Sequence, residues 1–213
     1  MKRQLGFTLV EIAIVLVIIG LLLGGILKGQ EMITQAKIKN SIADFSGISA
    51  AYHGYQDRYR AIPGDDPGAG RWSGATVSAT AGNGVISGKY NSSTATDESL
   101  LWWDHLRRAG FVSGAGTNQP FNAFTGMIGV QTGDAAGSTA MGGFSGLIIC
   151  SANIPDKVAI AMDTQMDDGL IDKGTVRGQK QTSPNPDIVG TIPAGDIPYA
   201  ETGTNTYTMC RSL

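Results

Sequence analysis

The residue with the clearest chemical demand is Glu11, a carboxylate directly in front of a long apolar stretch. The sixteen residues 12–27 carry no charge. Because a carboxylate is costly inside a bilayer, an ionisable group in such a segment usually has a partner or a task. Two interpretations are open: Glu11 lies one turn inside the stretch and snorkels to the interface, or it has a partner that the isolated residue does not reveal.

Carboxylates also concentrate in two later segments, Pro63-Gly-Asp-Asp-Pro67 and Asp163-Thr-Gln-Met-Asp-Asp-Gly-Leu-Ile-Asp172. Oxygen-rich loops of this kind suit calcium. The EF-hand spacing fails, because with Gly169 as the sixth position the first would be Thr164 and the twelfth Thr175. Asp residues also end strands and form Asx-turns. No metal site is therefore assigned and no cofactor is expected, with calcium left open.

Catalytic motifs are missing from the sequence. It contains no H-E-x-x-H, no G-x-S-x-G and no Gly-rich phosphate loop. A carboxylate pair such as Asp65 with Asp168 could serve hydrolysis, but nothing in the sequence brings the two together. An enzyme is therefore not expected.

The charge balance argues against nucleic acid as a partner. The 213 residues include sixteen Lys and Arg against eighteen Asp and Glu. A broad basic face is not expected, and only a local patch of Arg58, Arg60 and Arg71 could attract phosphate. These arginines more often serve as solvated charges at a helix end.

The apolar stretch itself is long enough to cross a membrane. Residues 7–27 number twenty-one, about the length that spans a ~30 Å hydrocarbon core. Lys2 and Arg3 precede the stretch and only Lys28 follows closely, so the positive-inside rule predicts a cytoplasmic N-terminus. A secretory signal peptide places its small residues after the apolar run, whereas Gly6 lies before it.

Beyond the membrane the same helix is predicted to continue as far as Ala61, before Pro63-Gly64. Apolar and aromatic residues recur there at spacings of three and four, the period of an amphipathic helix face. They are Ile38, Ile42, Phe45, Ile48, Tyr52, Tyr55, Tyr59 and Ile62. The inner half contains four glycines, which either permit close helix contact or merely tolerate lipid. They are Gly20, Gly24, Gly25 and Gly29.

The start of the chain resembles a known family through the run Gly6-Phe7-Thr8-Leu9-Val10-Glu11 and the aliphatic residues after it. The run is similar to the leader and N-terminal helix of type IV pilins and of the pseudopilins of type II secretion. The resemblance implies that a prepilin peptidase cuts between Gly6 and Phe7 and N-methylates the new amino group of Phe7. It also implies that Glu11 meets the positive amine of a neighbouring subunit during filament assembly. Each charge is costly alone in an apolar filament and much less so when paired.

The resemblance implies a structural subunit of a type IV pilus-like filament, serving adhesion, motility or DNA uptake. A pseudopilin that drives protein export in type II secretion is the alternative within the family. The implied partners are the prepilin peptidase/methyltransferase, other copies and related minor pilins, an inner-membrane assembly platform and the lipid membrane. A chain that kept its leader would instead be a signal-anchored periplasmic binding protein or enzyme. Major pseudopilins carry a calcium loop in the head, but its ligands do not map onto this sequence.

The implied location is the inner membrane, with the N-terminus in the cytoplasm and the head in the periplasm. The assembled protein would lie in a pilus at the cell surface or in a periplasmic pseudopilus. The chain then divides into a leader at 1–6, a transmembrane assembly helix at 7–27, its amphipathic continuation at 28–62 and a globular head at 63–213.

The head is predicted to be α+β, with the long helix packed on an antiparallel sheet in the type IV pilin-like manner. A head helix is predicted over Asp97–Arg108, with acids in its first turn and Gly110 as terminator. Strands are predicted where β-branched and apolar residues cluster between turn formers. These segments are Met127–Gln131, Gly146–Ser151, Val158–Met162 and Tyr207–Arg211.

The two cysteines, Cys150 and Cys210, both lie on the predicted outer side of the membrane. A disulfide that ties down the C-terminus is the favoured interpretation, with two free buried thiols as the alternative. In the loop-entropy model, closing a loop of about sixty residues is worth roughly 4 kcal/mol. The resemblance supports the bond, because many pilins close a C-terminal loop with a cystine, although usually a shorter one.

Overall fold

The computed structural model describes residues 8–135 and 138–213. Its elements follow in the order α1, α2, β1, β2, α3, β3 and β4. Their bounds are Leu9–Tyr59 for α1, Glu98–Arg108 for α2, Ile128–Thr132 for β1, Leu147–Pro155 for β2, Asp156–Met166 for α3, Val176–Lys180 for β3 and Thr206–Ser212 for β4. Short 3₁₀ helices cover Ala69–Arg71 and Ala194–Asp196. The first compact unit ends at Lys39, and the second runs from Asn40 to Leu213.

The described part of the first unit, residues 8–39, contains the apolar half of α1. The helix is long and apolar enough to cross a membrane, as predicted, and its most apolar window has no buried residue. Large apolar side chains here are exposed all round the helix, from Leu9 to Ile33. Such a surface is stable in lipid or against other apolar helices, but not in water.

The part of α1 in the second unit buries one face. Phe45, Ile48, Tyr52 and Tyr55 of the predicted stripe are all buried. The helix ends at Tyr59, two residues before the predicted Ala61, because the next residue takes a left-handed conformation with φ of 55°.

The helix α2 lies in the core of the second unit, where Trp102 and Trp103 are buried. It begins one residue after the predicted start and ends at the predicted Arg108. Gly110 follows with φ of 81°, the left-handed conformation that commonly ends a helix. The ring of Trp102 stacks on Tyr52 of α1 with centroids 5.3 Å apart.

Within the described residues, four strands form one antiparallel sheet in the order β1-β2-β4-β3. A long N-terminal helix with such a sheet is the predicted α+β, type IV pilin-like architecture, and the fold prediction is confirmed. Cys150 of β2 lies directly opposite Cys210 of β4, and the two form a disulfide with an S–S distance of 2.12 Å. The predicted bond is therefore present, and the alternative of two free thiols is wrong.

One strand prediction is wrong, because Val158–Met162 lies inside helix α3. Its buried residues include Val158, Ala159 and Met162, which follow the helical spacing of one and then three residues. The apolar content of the segment suggested a strand, but its period is that of a helix.

The fourth strand is instead β3, which the sequence analysis missed. Its sequence, VRGQK, has few apolar residues and a glycine at its centre. Gly178 is needed there, because a Cβ atom would lie 2.6 Å from the Tyr199 hydroxyl oxygen. Tertiary contact with β4 and Tyr199, rather than strand propensity, fixes this segment.

Candidate functional site

The first turn of α1 is closed by a reciprocal pair of contacts between Thr8 and Glu11. The Glu11 Oε2 atom accepts hydrogen bonds from the Thr8 backbone N–H and from the Thr8 hydroxyl, both at 2.8 Å. The Glu11 backbone N–H donates to the Thr8 hydroxyl oxygen at 3.3 Å. This is a capping box, which satisfies N–H groups that a helix start leaves without partners. The Thr-x-x-Glu spacing before an apolar run signals it, but the sequence analysis did not use that signal.

Glu11 keeps unused bonding capacity in this arrangement. Its Oε1 atom accepts no hydrogen bond, and its side chain has no cationic partner, within residues 8–135 and 138–213. The side chain is exposed. The carboxylate therefore caps its own helix through one oxygen and leaves the other without a hydrogen bond in these ranges.

The residues of the expected cleavage site, Gly6 and Phe7, lie outside the described residues. Residues 1–27 match the family model of the prokaryotic N-terminal methylation motif, the signature of type IV pilins and pseudopilins. The chain carries the N-terminal signature that type IV pilins and pseudopilins share. No curated protein and no solved structure matches the chain.

The N-terminal motif and the structure both indicate a helix suited to an apolar environment. The helix is apolar, exposed and able to cross a membrane, and the motif covers its beginning. The four glycines of its apolar half have open surroundings, because a Cβ atom at any of them would meet nothing within 4 Å. No close contact within the described part of the chain requires glycine at these positions. The helix surface beside them is therefore open to lipid or to another helix.

The carboxylates of the second predicted segment come together in the head. Ligand oxygens of Asp163, Asp167 and Asp168 lie within 4.8 Å of one another. The buried Asp163 accepts hydrogen bonds from the Tyr199 hydroxyl at 2.6 Å and from the Gly169 N–H at 3.1 Å. The pKa of Asp163 is raised to about 6, chiefly by burial. The neighbouring Asp168 and Asp167 contribute to the increase, and the hydrogen bonds from Tyr199 and Gly169 lower the pKa.

The three carboxylates are close enough together that they could hold a metal ion. Calcium takes six to eight oxygen ligands, and three carboxylates provide some of them. The chain already uses all three carboxylates as acceptors of backbone hydrogen bonds. Asp167 accepts N–H groups of Thr175 and Val176, and Asp168 accepts that of Leu170.

The first acidic segment has a structural role in the head. Asp65 accepts backbone N–H groups of Gly82 at 2.5 Å and of Gly84 at 2.7 Å. Asp66 accepts the Tyr55 hydroxyl at 2.5 Å and pairs with Arg71 at 2.6 Å. Both residues therefore hold the loop after α1, in agreement with the interpretation that these Asp residues stabilise turns.

The three arginines of the suggested phosphate patch already have partners. Besides its pair with Asp66, Arg71 lies 4.6 Å from the ring centroid of Tyr59. Arg60 pairs with Asp57 at 3.5 Å, and Arg58 lies 5.3 Å from the centre of the Tyr59 ring. These contacts agree with the interpretation that the arginines are charges at a helix end.

Proposed function

We propose that this protein is a structural subunit of a type IV pilus-like filament. The observation that carries the proposal is the methylation motif over residues 1–27, continuous with a helix whose apolar side chains are exposed on all sides. A prepilin peptidase would remove residues 1–6 at the cytoplasmic face and methylate Phe7. The remaining chain would stay in the inner membrane, with its head outside, until assembly.

The exposed helix requires an apolar environment, but that requirement alone does not drive assembly. Full burial of one large aliphatic side chain is worth about 1.5–3 kcal/mol relative to water, so this helix needs lipid or neighbouring copies around it. Lipid already provides that environment, and transfer from lipid to filament gains little from the hydrophobic effect. Specific packing and pairing of polar groups must then favour the filament.

Glu11 supplies such a polar group. Its free Oε1 atom suits the methylated amine of Phe7 in a neighbouring copy, and the pair fixes the register between the two helices. The partners of the protein are accordingly the peptidase, the assembly platform, the membrane, minor pilins and further copies. With Lys2 and Arg3 removed, fourteen basic side chains remain against eighteen acidic ones, a formal charge of −4, which disfavours nucleic acid.

The proposal is tested with Glu11→Ala and Glu11→Val in the native cells. Both variants should enter the membrane fraction in wild-type amounts, because neither adds a charge to the span. Filaments sheared from the cells should fall at least ten-fold in both. Wild-type filament yield from either variant would contradict the proposed role of Glu11.

A pseudopilin of a type II secretion system is the second candidate, because the methylation motif marks both groups. Such a protein would form a short periplasmic filament that pushes exported proteins outward. Deletion of the gene separates the two candidates. Loss of surface filaments indicates the pilus, whereas loss of protein secretion from cells without surface filaments indicates the pseudopilus.

A further inference from the structure

A groove in the second unit lies where α1 meets the segments after α2. It encloses about 340 Å³. We call it the Asp44 groove, and the residues that matter for its chemistry are Asp44, Gly47, Ile48, Trp103, Phe111 and Phe121.

Gly47 is a helix residue that the fold of the single chain does not require. Glycine in a helix interior is less favourable than alanine. A Cβ atom at Gly47 would meet nothing within 4 Å, whereas one at Gly54 would lie 2.7 Å from the Phe111 ring. The fold explains Gly54, whereas at Gly47 the helix surface is open to a neighbouring molecule.

One polar group of the groove also lacks a partner. Asp44 is partly buried, and no hydrogen bond or ion pair of its side chain occurs in the described part of the chain. Burial raises the pKa of Asp44, because desolvation penalises its charged form. An opposite charge beside such a carboxylate would favour its charged form.

The walls and rim of the groove are apolar. Phe121 stands at the rim with 64% of its surface exposed, and Ile48 and Phe111 line the wall. A matching occupant has an apolar stem that ends in a cation for Asp44. A lysine side chain has both.

We propose that the Asp44 groove receives a lysine-bearing segment of a second copy of this chain. The chain has suitable cations, because the exposed Lys39 and Lys173 have no carboxylate partner in the described ranges. The inference rests on the proposed filament, in which copies stand side by side. Within that filament it adds a head contact that locks neighbours through Asp44 and Gly47.

The first test fills the groove without disturbing the fold. Gly47→Leu replaces glycine by a strong helix former, so the melting temperature of the full chain in detergent should equal or exceed that of wild type. Filament yield should fall at least ten-fold. The control Ala50→Leu adds a leucine to an exposed position of the same helix outside the groove and should leave the yield unchanged.

The second test identifies the occupant. Filaments are grown from a mixture of ¹⁴N- and ¹⁵N-labelled full chains, and a carbodiimide joins carboxylates to lysines in contact. Mass spectrometry should find Asp44 joined to a lysine in peptides of mixed label, and the signal should disappear in Asp44→Asn. Cross-links within one chain only, or to another protein, would overturn the assignment to a second copy.

The two proposals fail in different ways. Wild-type filaments with normal assembly of Gly47→Leu would overturn the groove contact and leave the filament role standing. Absence of filaments and pseudopili from wild-type cells would overturn both.

Discussion

At the scale of single residues, Glu11 combines two tasks that substitution can separate. The first is the capping box with Thr8, which the structure shows. The second is the proposed pairing of its free oxygen with an amine of a neighbouring copy. A cap needs only an acceptor, whereas an ion pair needs the charge.

Glu11→Gln keeps an acceptor for Thr8 and loses the charge, so we expect it to lose filaments as Glu11→Ala does. Thr8→Val removes the capping hydroxyl and keeps the charge. It should weaken the helix start by about 1 kcal/mol and retain most of the filament yield. Sheared-filament yield and membrane content are measured for both. Wild-type assembly of Glu11→Gln would mean that the residue acts through its cap alone.

Asp163 predicts a pH dependence of the head. Its pKa of about 6 in the folded state exceeds the ordinary 3.8, so the folded chain holds the proton more tightly than the unfolded chain. Stability from this group is complete below about pH 4 and is lost as the pH rises to about 6. Asp163→Asn cannot ionise and should gain up to about 3 kcal/mol over wild type at pH 7, with little gain at pH 4.

The measurement is thermal unfolding of the full chain in detergent between pH 4 and 7, with a chelator present so that no cation contributes. Asp172→Asn, which removes another carboxylate of the same loop, is the control. Parallel pH profiles for wild type and Asp163→Asn would show that burial of this carboxyl carries no penalty.

At the scale of elements, hydrophobic periodicity predicted the helices whose position and bounds depend on local sequence. The stripe at Phe45, Ile48, Tyr52 and Tyr55 and the bounds of α2 follow from helical spacing and terminating residues. The strand β3 could not be predicted, because its pairing with β4 and the close approach of Tyr199 decide its conformation. Helix α3 could have been predicted from the sequence, since its apolar residues Val158, Ala159 and Met162 follow a helical period.

The disulfide joins the two central strands of the sheet, so its removal should loosen β4. We expect the double variant Cys150→Ala with Cys210→Ala to lose about 2–4 kcal/mol of unfolding free energy. Denaturant unfolding of the full chain in detergent measures the loss. Hydrogen exchange should accelerate in β4 more than in α2. A loss below about 0.5 kcal/mol would show that packing alone holds the C-terminal strand.

At the scale of the whole molecule, the N-terminal third and the head differ in what their sequence reveals. The membrane span and the processing motif depend only on the order of residue types along the chain. Both could therefore be predicted from residues 1–27 without the structure. The contact between Asp163 and Tyr199 joins residues far apart in sequence, and only the fold brings them together. The same holds for the Asp44 groove, whose unpaired carboxylate can be identified only when its neighbours are known.

The central claim is that this chain is processed as a prepilin, and its N-terminus tests that claim most directly. The measurement is intact and peptide mass spectrometry of the protein extracted from membranes of its native cells. We predict a chain that begins with N-methylated Phe7 and lacks residues 1–6. A mature protein that begins at Met1 or Lys2 would contradict the account and leave a signal-anchored protein whose function lies in its head.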